Sequence, residues 1–227
     1  MLDYEFRFRN FISLAQMTMN HYLITRFNLS RPEGKFLDPS WLKYRSQIFE
    51  RFTLPTVAKQ INGRFRWFVL FHFNSPVELR RNAERWQRAC PQFEPLWTCG
   101  RDTVDNWEFI GEGNWARSTS GQIVNSRIHR ESAGDWIITS RLDSDDAVSV
   151  DFIDAIQQAF RGREESINLH NGWKWHQNNC HPLKHANNPF ISYAEKCSRQ
   201  LRTVFWKSHK NMGLQVPCQQ VGGPRDG

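Results

Sequence analysis

Arg64-Phe65-Arg66-Trp67-Phe68-Val69-Leu70-Phe71-His72 is the stretch on which the fold turns. Its apolar run from Trp67 to Phe71 is the longest in the chain and far short of the roughly 20 residues that span a bilayer. It does not alternate, as a half-solvated strand would. A short continuous run of this kind predicts a strand covered on both faces, central in a parallel sheet.

The neighbours on either side fit that reading. His21 to Asn28 (His-Tyr-Leu-Ile-Thr-Arg-Phe-Asn) predicts a first strand running into a polar loop. Asp38-Pro39-Ser40-Trp41 predicts a helix start, with Asp38 as N-cap and Pro39 at the first helical position. Trp41, Tyr44, Ile48, Phe49 and Phe52 follow at helical spacing as its apolar face. A second helix is expected over Val77–Ala89, with Leu79, Ala83, Trp86 and Cys90 inward and Arg80, Arg81, Arg85 and Arg88 on solvated faces. Residues 94–99 predict a short strand and 119–133 a helix closed by Gly134. Asp135 to Leu142 predicts a buried strand, and Phe152, Ile153, Ile156 and Phe160 mark one face of a further helix. Strand or hairpin is expected over 167–176. Strand and helix in alternation give an α/β fold: one domain whose mostly parallel central sheet is flanked by helices.

A length of 227 residues suits one domain. Residues 1–20 are expected to be an N-terminal extension, 21–210 the domain, and 211–227 a poorly ordered C-terminal tail rich in Gly and Pro at its end. The start, Met1-Leu2-Asp3-Tyr4-Glu5, lacks the basic and apolar regions of a secretory signal. Five cysteines without a C-x-x-C pair suit a reducing compartment, so a cytoplasmic location is expected. A net charge of +7 invites an anionic partner. Ten Trp and 17 Phe exceed what so few Tyr would lead one to expect, and most of the Trp fall on apolar faces, as core residues do.

The acids are not spread evenly. Asp135, Asp143, Asp145, Asp146, Asp151 and Asp154 surround a single base, Arg141, whereas the chain after Leu183 carries a balance of +5. The acidic knot falls where a buried strand meets a helix, and ligands of open α/β sheets bind outside the carboxyl ends of the strands. In an extended Asp143-Ser144-Asp145, alternate side chains point the same way and converge on one site. Carboxylate oxygens are hard ligands suited to Mg²⁺ or Mn²⁺. The plainer possibility is that Asp145 and Asp146 favour the dipole of the next helix.

Several of these segments, in order, resemble the bacterial putative rhamnosyl transferase family, small glycosyltransferases similar to GT-A enzymes. They are His21–Asn28, Trp41–Arg45, Phe49–Pro55, Phe65–Phe71, Asp135–Ala147, Asn188–Ser192 with Glu195, and His209. The resemblance covers roughly residues 20–210. It implies a GT-A-like (Rossmann-like) fold, a nucleoside-diphosphate-sugar donor, a glycan or lipid-linked acceptor, and Mn²⁺ or Mg²⁺ as cofactor. On that pattern Asp145 holds the metal, while Asp143 touches the donor ribose or shares the ion. Thr25, Arg26 and Asn28 lie beside the nucleotide, and Arg141 pairs with phosphate, which its forked guanidinium fits. The family strand that here ends in His72 usually ends in an acid. The C-terminal segment from Gly213 lacks the usual His, so a metal-contacting His would have to be His209. If transfer inverts the anomeric centre, a base must take the acceptor proton. Glu195 is the sequence candidate, with Asp146 and Asp151 as rivals.

His170, His176, Cys180, His181, His185 and Cys197 crowd one region, but zinc wants paired, closely spaced ligands and no second Cys pair is present. Trp173 and Trp175 alternate and could floor a sugar-binding cleft. No G-x-S-x-G, G-x-G-x-x-G or phosphate-binding loop occurs. The reading is a metal-dependent glycosyltransferase, with peripheral contact at the inner face of the membrane allowed for by the positive charge after Leu183 and on the second helix. The alternatives are a basic nucleic-acid-binding module, which the acidic knot opposes, and a homologue that folds but no longer catalyses.

Overall fold

The computed structural model describes residues 18–29, 35–98, 119–186, 188–206 and 208–222. Residues 1–17 of the expected extension and 223–227 of the expected tail lie outside them. Nine strands are described: β1 (Met19–Arg26), β2 (Arg66–His72), β3 (Phe93–Thr98), β4 (Trp136–Arg141), β5 (Glu165–Leu169), β6 (Asn171–His176), β7 (Asn179–Lys184), β8 (Ser192–Lys196) and β9 (Cys218–Val221). The helices are α1 (Pro39–Ile48), α2 (Leu54–Ala58), α3 (Val77–Ala89), α4 (Thr119–Glu131), α5 (Phe152–Ala159) and α6 (His209–Gln215). Seven strands form one sheet in the order β3-β2-β1-β4-β8-β5-β9, and β6 and β7 pair as a separate hairpin. β8 runs antiparallel to both its neighbours, while the other pairings in the sheet are parallel. The molecule is therefore α/β, with the Rossmann-like, mostly parallel sheet expected.

β2 is buried from Trp67 to His72 because helices cover both its faces, although it stands one place from the sheet edge. On one face Leu23, Trp67, Val69, Phe71 and Ile138 pack with α1, α3 and α5. On the other, Tyr22, Ile24, Phe68 and Leu70 meet Val124 and Ile128 of α4. Much of the aromatic excess is spent here. Phe27, Phe49, Phe71, Trp86 and Phe93 form one ring cluster, with Phe49 and Trp86 centroids 4.6 Å apart. Thr25 is fully buried and its hydroxyl accepts the Trp67 indole N–H at 2.9 Å, so the most buried Trp leaves no polar group unpaired.

α1 begins as its sequence dictates: Asp38 Oδ1 accepts the Trp41 N–H at 2.7 Å. Its buried face differs from the expected one. Leu42, Ser46, Phe49 and Thr53 point inward while Tyr44 is 62% exposed, since Tyr44 lies about 200° around the helix from Leu42. A wide turn follows, in which the Leu54 N–H reaches back five residues to the Phe49 carbonyl before α2. α3 matches expectation, with Leu79, Ala83, Trp86 and Cys90 buried. Gly134, after α4, is needed for closeness: a Cβ there would lie 2.7 Å from the Thr18 carbonyl oxygen.

The expectation of a loose tail over 211–227 is corrected up to residue 222. α6 sinks Met212 against Ile191 and Tyr193 with Val216, and β9 then adds to the sheet edge beside β5. Buried apolar anchors and backbone pairing hold the segment in place, whatever its Gly content.

Candidate functional site

The carboxyl ends of β1, β2, β4 and β5 face the same way, and the acidic segment lies just past β4. The strand end is fixed by its neighbours: the Arg141 N–H donates to the Ile191 carbonyl and the Leu142 N–H to that of Ile24. Asp143 to Asp146 then fold into a turn, closed by the Asp146 N–H on the Asp143 carbonyl at 3.3 Å. The loop after it is strapped to α2, since Val148 N–H donates to Thr56 Oγ1 and Gln60 Nε2 to the Ser149 carbonyl. Gln60 Oε1 also caps α5 by accepting the Ile153 N–H. Because α5 starts only at Phe152, Asp145 and Asp146 do not occupy its first turn.

Asp143 to Asp146 form a turn and not the extended segment expected, and Asp143 and Asp145 pair with different arginines. Asp143 accepts a two-pronged bond from Arg141, at 3.2 Å from Nε and 2.9 Å from a terminal nitrogen. Asp145 instead pairs with Arg45 of α1 at 2.6 Å. Burial alone would raise the Asp143 carboxyl, but Arg141, Arg26 and His209 together hold it below the usual carboxylate range. Asp146 has no such relief. Burial, then the charges of Asp145 and Asp143, push it up to about 6, against weaker pulls from Arg141 and Arg45.

His209, the first residue of α6, reaches the same group of charges. Burial and then Arg141 lower it to about 4, with Lys210 and His185 acting the same way and Asp143 opposing. It is thus a neutral imidazole at physiological pH. Arg26, at the end of β1, lies within electrostatic range of Asp143, and its guanidinium sits 4.7 Å from the Phe205 ring centroid. Arg26, Arg141, Asp143, Asp145, Asp146 and His209 are therefore brought together.

Three expected site residues are not. Thr25 is committed to Trp67 inside the core. Asn28 is 1% exposed and its amide is fully used, donating to the Phe36 carbonyl and Ser75 Oγ and accepting the His72 N–H. It ties the end of β1 to the end of β2. Glu195 opposes Ile137 in the β4–β8 ladder, six positions before Asp143, about 20 Å along the strand. Its buried carboxylate accepts the Arg202 N–H at 2.9 Å and the Thr203 N–H at 2.7 Å. Burial raises its pKa while these two donors pull it back. Thr203 has a φ of 56°, a strained value for a β-branched residue, and Glu195 holds it there. Glu195 thus anchors the segment that carries Phe205 toward Arg26 and leads into His209. Asp151, the other rival base, precedes α5.

Two participants carry no local signal. Arg45 stacks on Trp41 at 5.2 Å and meets Asp145 from a hundred residues away, with its Nε buried and unpartnered among the described residues. Phe205 covers Arg26 through a loop placed by Glu195.

The divalent ion implied by the resemblance can be tested against this donor set. Among the described residues no three of His, Cys, Asp or Glu are grouped to hold an ion as they stand, because Arg141 and Arg45 occupy Asp143 and Asp145. The chemistry fits nonetheless: hard carboxylates, a neutral imidazole, and an Asp146 raised first by burial and then by the charges of Asp145 and Asp143. Among the described residues no helix is long and apolar enough to cross a membrane.

No curated protein matches the chain significantly. The sequence model of the family described as putative rhamnosyl transferase matches residues 25–224, from the end of β1 to beyond β9. By that match over most of its length, the chain belongs to the putative rhamnosyl transferase family of glycosyltransferases.

Proposed function

We propose that this protein moves a glycosyl group from a nucleoside-diphosphate sugar, bound with Mn²⁺ or Mg²⁺, to a hydroxyl of a glycan or lipid-linked acceptor. The observation that carries the reading is the meeting of Asp143, Asp145 and Asp146 with Arg26, Arg141 and His209 at the carboxyl end of the sheet. Asp145 and Asp143, with neutral His209, would hold the ion. Bound there, the ion would supply positive charge to offset the negative charge that grows as the diphosphate leaves. Arg141 and Arg26 pair with the diphosphate, where a planar fork of donors matches two oxygens. Phe205 over Arg26 limits how far that guanidinium strays.

Asp146 serves as the base for an inverting transfer. It takes the proton of the acceptor hydroxyl as the new carbon–oxygen bond forms and the bond to the diphosphate oxygen breaks. A pKa near 6 is close to the working pH, where a base is most effective. Glu195 keeps the Phe205–His209 segment in register and takes no part in proton transfer. A lipid-linked acceptor would bring the protein to the inner face of the membrane, where the basic segment after Leu183 meets anionic headgroups.

Thermal-shift titration of nucleoside diphosphates with and without Mn²⁺ tests this. One nucleotide should stabilise the native protein only with metal, and Asp145→Ala should weaken that binding about tenfold or more. Metal-dependent binding that survives in Asp145→Ala would overturn the ligand assignment. No stabilisation by any nucleotide would favour a homologue that folds without catalysing.

A further inference from the structure

β6 and β7 form a hairpin that the donor site leaves unused. Gln177 and Asn178 close it with φ values of 49° and 61°, the two-residue turn whose twist matches a hairpin. Trp173 opposes Pro182, and Trp175 opposes Cys180, so both indoles stand on one face. Trp173 is 68% exposed and Trp175 58%, whereas Trp67 and Trp86 are buried in the core. Two large rings so exposed on a regular hairpin add little to folding. Their exposure calls for a partner.

Position and charge narrow the partner. β5 runs parallel to β4, so the hairpin leaves the sheet at the same end as the acidic turn. His185, just after β7, is near enough to influence His209. On the other side, Trp175 meets Phe52 edge to face at 5.8 Å, in the same helical stretch whose Arg45 grips Asp145. Trp175 is therefore seated against the helical stretch that walls the donor site, which places the exposed face beside that site. From Asn171 to Ala186 the chain has Lys174 and Lys184 but no acid, which leaves the face open to neutral or anionic groups.

We propose that Trp173 and Trp175 form the acceptor platform, stacking successive pyranose rings of a saccharide chain whose end enters the site. Residues two apart on a strand stand about 6.6 Å from each other, a distance that successive rings of an extended glycan can meet. The apolar C–H faces of sugars carry slight positive charge and lie well on the negative face of an indole. The platform rests on the glycosyl-transfer reading of the neighbouring site and adds to it the class and location of the acceptor.

The test compares the native protein with Trp173→Ala/Trp175→Ala and Trp173→Phe/Trp175→Phe, using linear rhamnose and glucose hexasaccharides as probes. Calorimetry should show saturable binding of a hexasaccharide to the native protein, weakened about tenfold or more by the double Ala change and largely kept by the double Phe change. Binding of nucleoside diphosphate with Mn²⁺ should be the same in all three. No saccharide binding, or binding indifferent to the Ala change, overturns the platform. So does a Trp-dependent affinity for vesicles of phosphatidylcholine and phosphatidylglycerol at roughly 7:3 without saccharide binding, which would make the face a membrane contact. Failure of the nucleotide to bind the native protein would sink the donor site instead, a result read separately from the saccharide titration.

Discussion

At the amino ends of the strands, Arg66 and Arg127 share Glu94 and Glu131 in a closed ring: two cations, two anions, each bonded to both of the opposite sign. At the carboxyl ends, Arg141 and Arg45 each take one aspartate, and the third, Asp146, is left at about 6. Both clusters are partly buried, and both join elements distant in sequence. The first is balanced by the protein itself and clamps α4 to β2 and β3. The second gathers Arg26, Arg45 and Arg141 with three aspartates but leaves Asp146 buried beside two like charges, at the place where an α/β sheet receives ligands. A carboxyl left in that state is what a cation-assisted site can use, and full pairing is what a structural clamp requires.

The largest effect that could break this contrast belongs to Asp146→Asn. Loss of the base should slow transfer about 10²- to 10⁴-fold at saturating donor, read from steady-state kcat. The same change should stabilise the free protein above neutral pH by about 2 kcal/mol, read from melting curves. The sign follows from a folded pKa of about 6 against an ordinary value of 3.8 for this carboxyl. Such a group favours folding while protonated. That advantage is complete below the unfolded value and lost as pH rises through 6, and the amide variant should lack this pH dependence. A variant that melts like the native protein at every pH would show that Asp146 carries no stored repulsion.

At the opposite end, Glu94→Gln should cost about 2–3 kcal/mol of unfolding free energy, since it leaves Arg66 and Arg127 facing each other with half their countercharge. The arginines are partly solvated, which keeps the loss below that of a fully buried pair. Metal-dependent stabilisation by nucleotide should be unchanged in this variant; if it fell together with stability, the two ends would not be separable. Arg45→Met should have the smallest effect. Asp145 is half exposed, so the pair contributes under about 1 kcal/mol to folding. Freed from Arg45, Asp145 should bind Mn²⁺ alone several-fold more tightly, measured by titration without nucleotide. A weaker affinity would mean that Arg45 positions Asp145 and does not compete for it.

The contrast also explains what could be read in the sequence. Val77–Ala89 and Arg64–His72 were legible because local periodicity and apolar runs report burial directly. Asp143 to Asp146 stood out through charge density at a strand end. Arg45 did not, because nothing near it in sequence signals a partner a hundred positions on. Glu195 could be found as an acid in the right segment, but not as an anchor, since its partners are backbone N–H groups of a loop with no pattern of its own. Thr25 and Asn28 carried the family pattern into the wrong role: their polar groups are spent on Trp67 and on the ends of β1 and β2. β8 and β9 are short strands whose place in the sheet depends on distant partners, and the wide turn after α1 has no mark in the residue pattern.

The account stands most directly on the proton count for Mn²⁺ binding. Calorimetric titration of the native protein near pH 6, in two buffers of different ionisation enthalpy, should show roughly half a proton released per ion, vanishing above about pH 8 and in Asp146→Asn. Mn²⁺ binding without proton release at pH 6, or no binding at all, would contradict the claim that the carboxyl end of the sheet holds acid in wait for a cation.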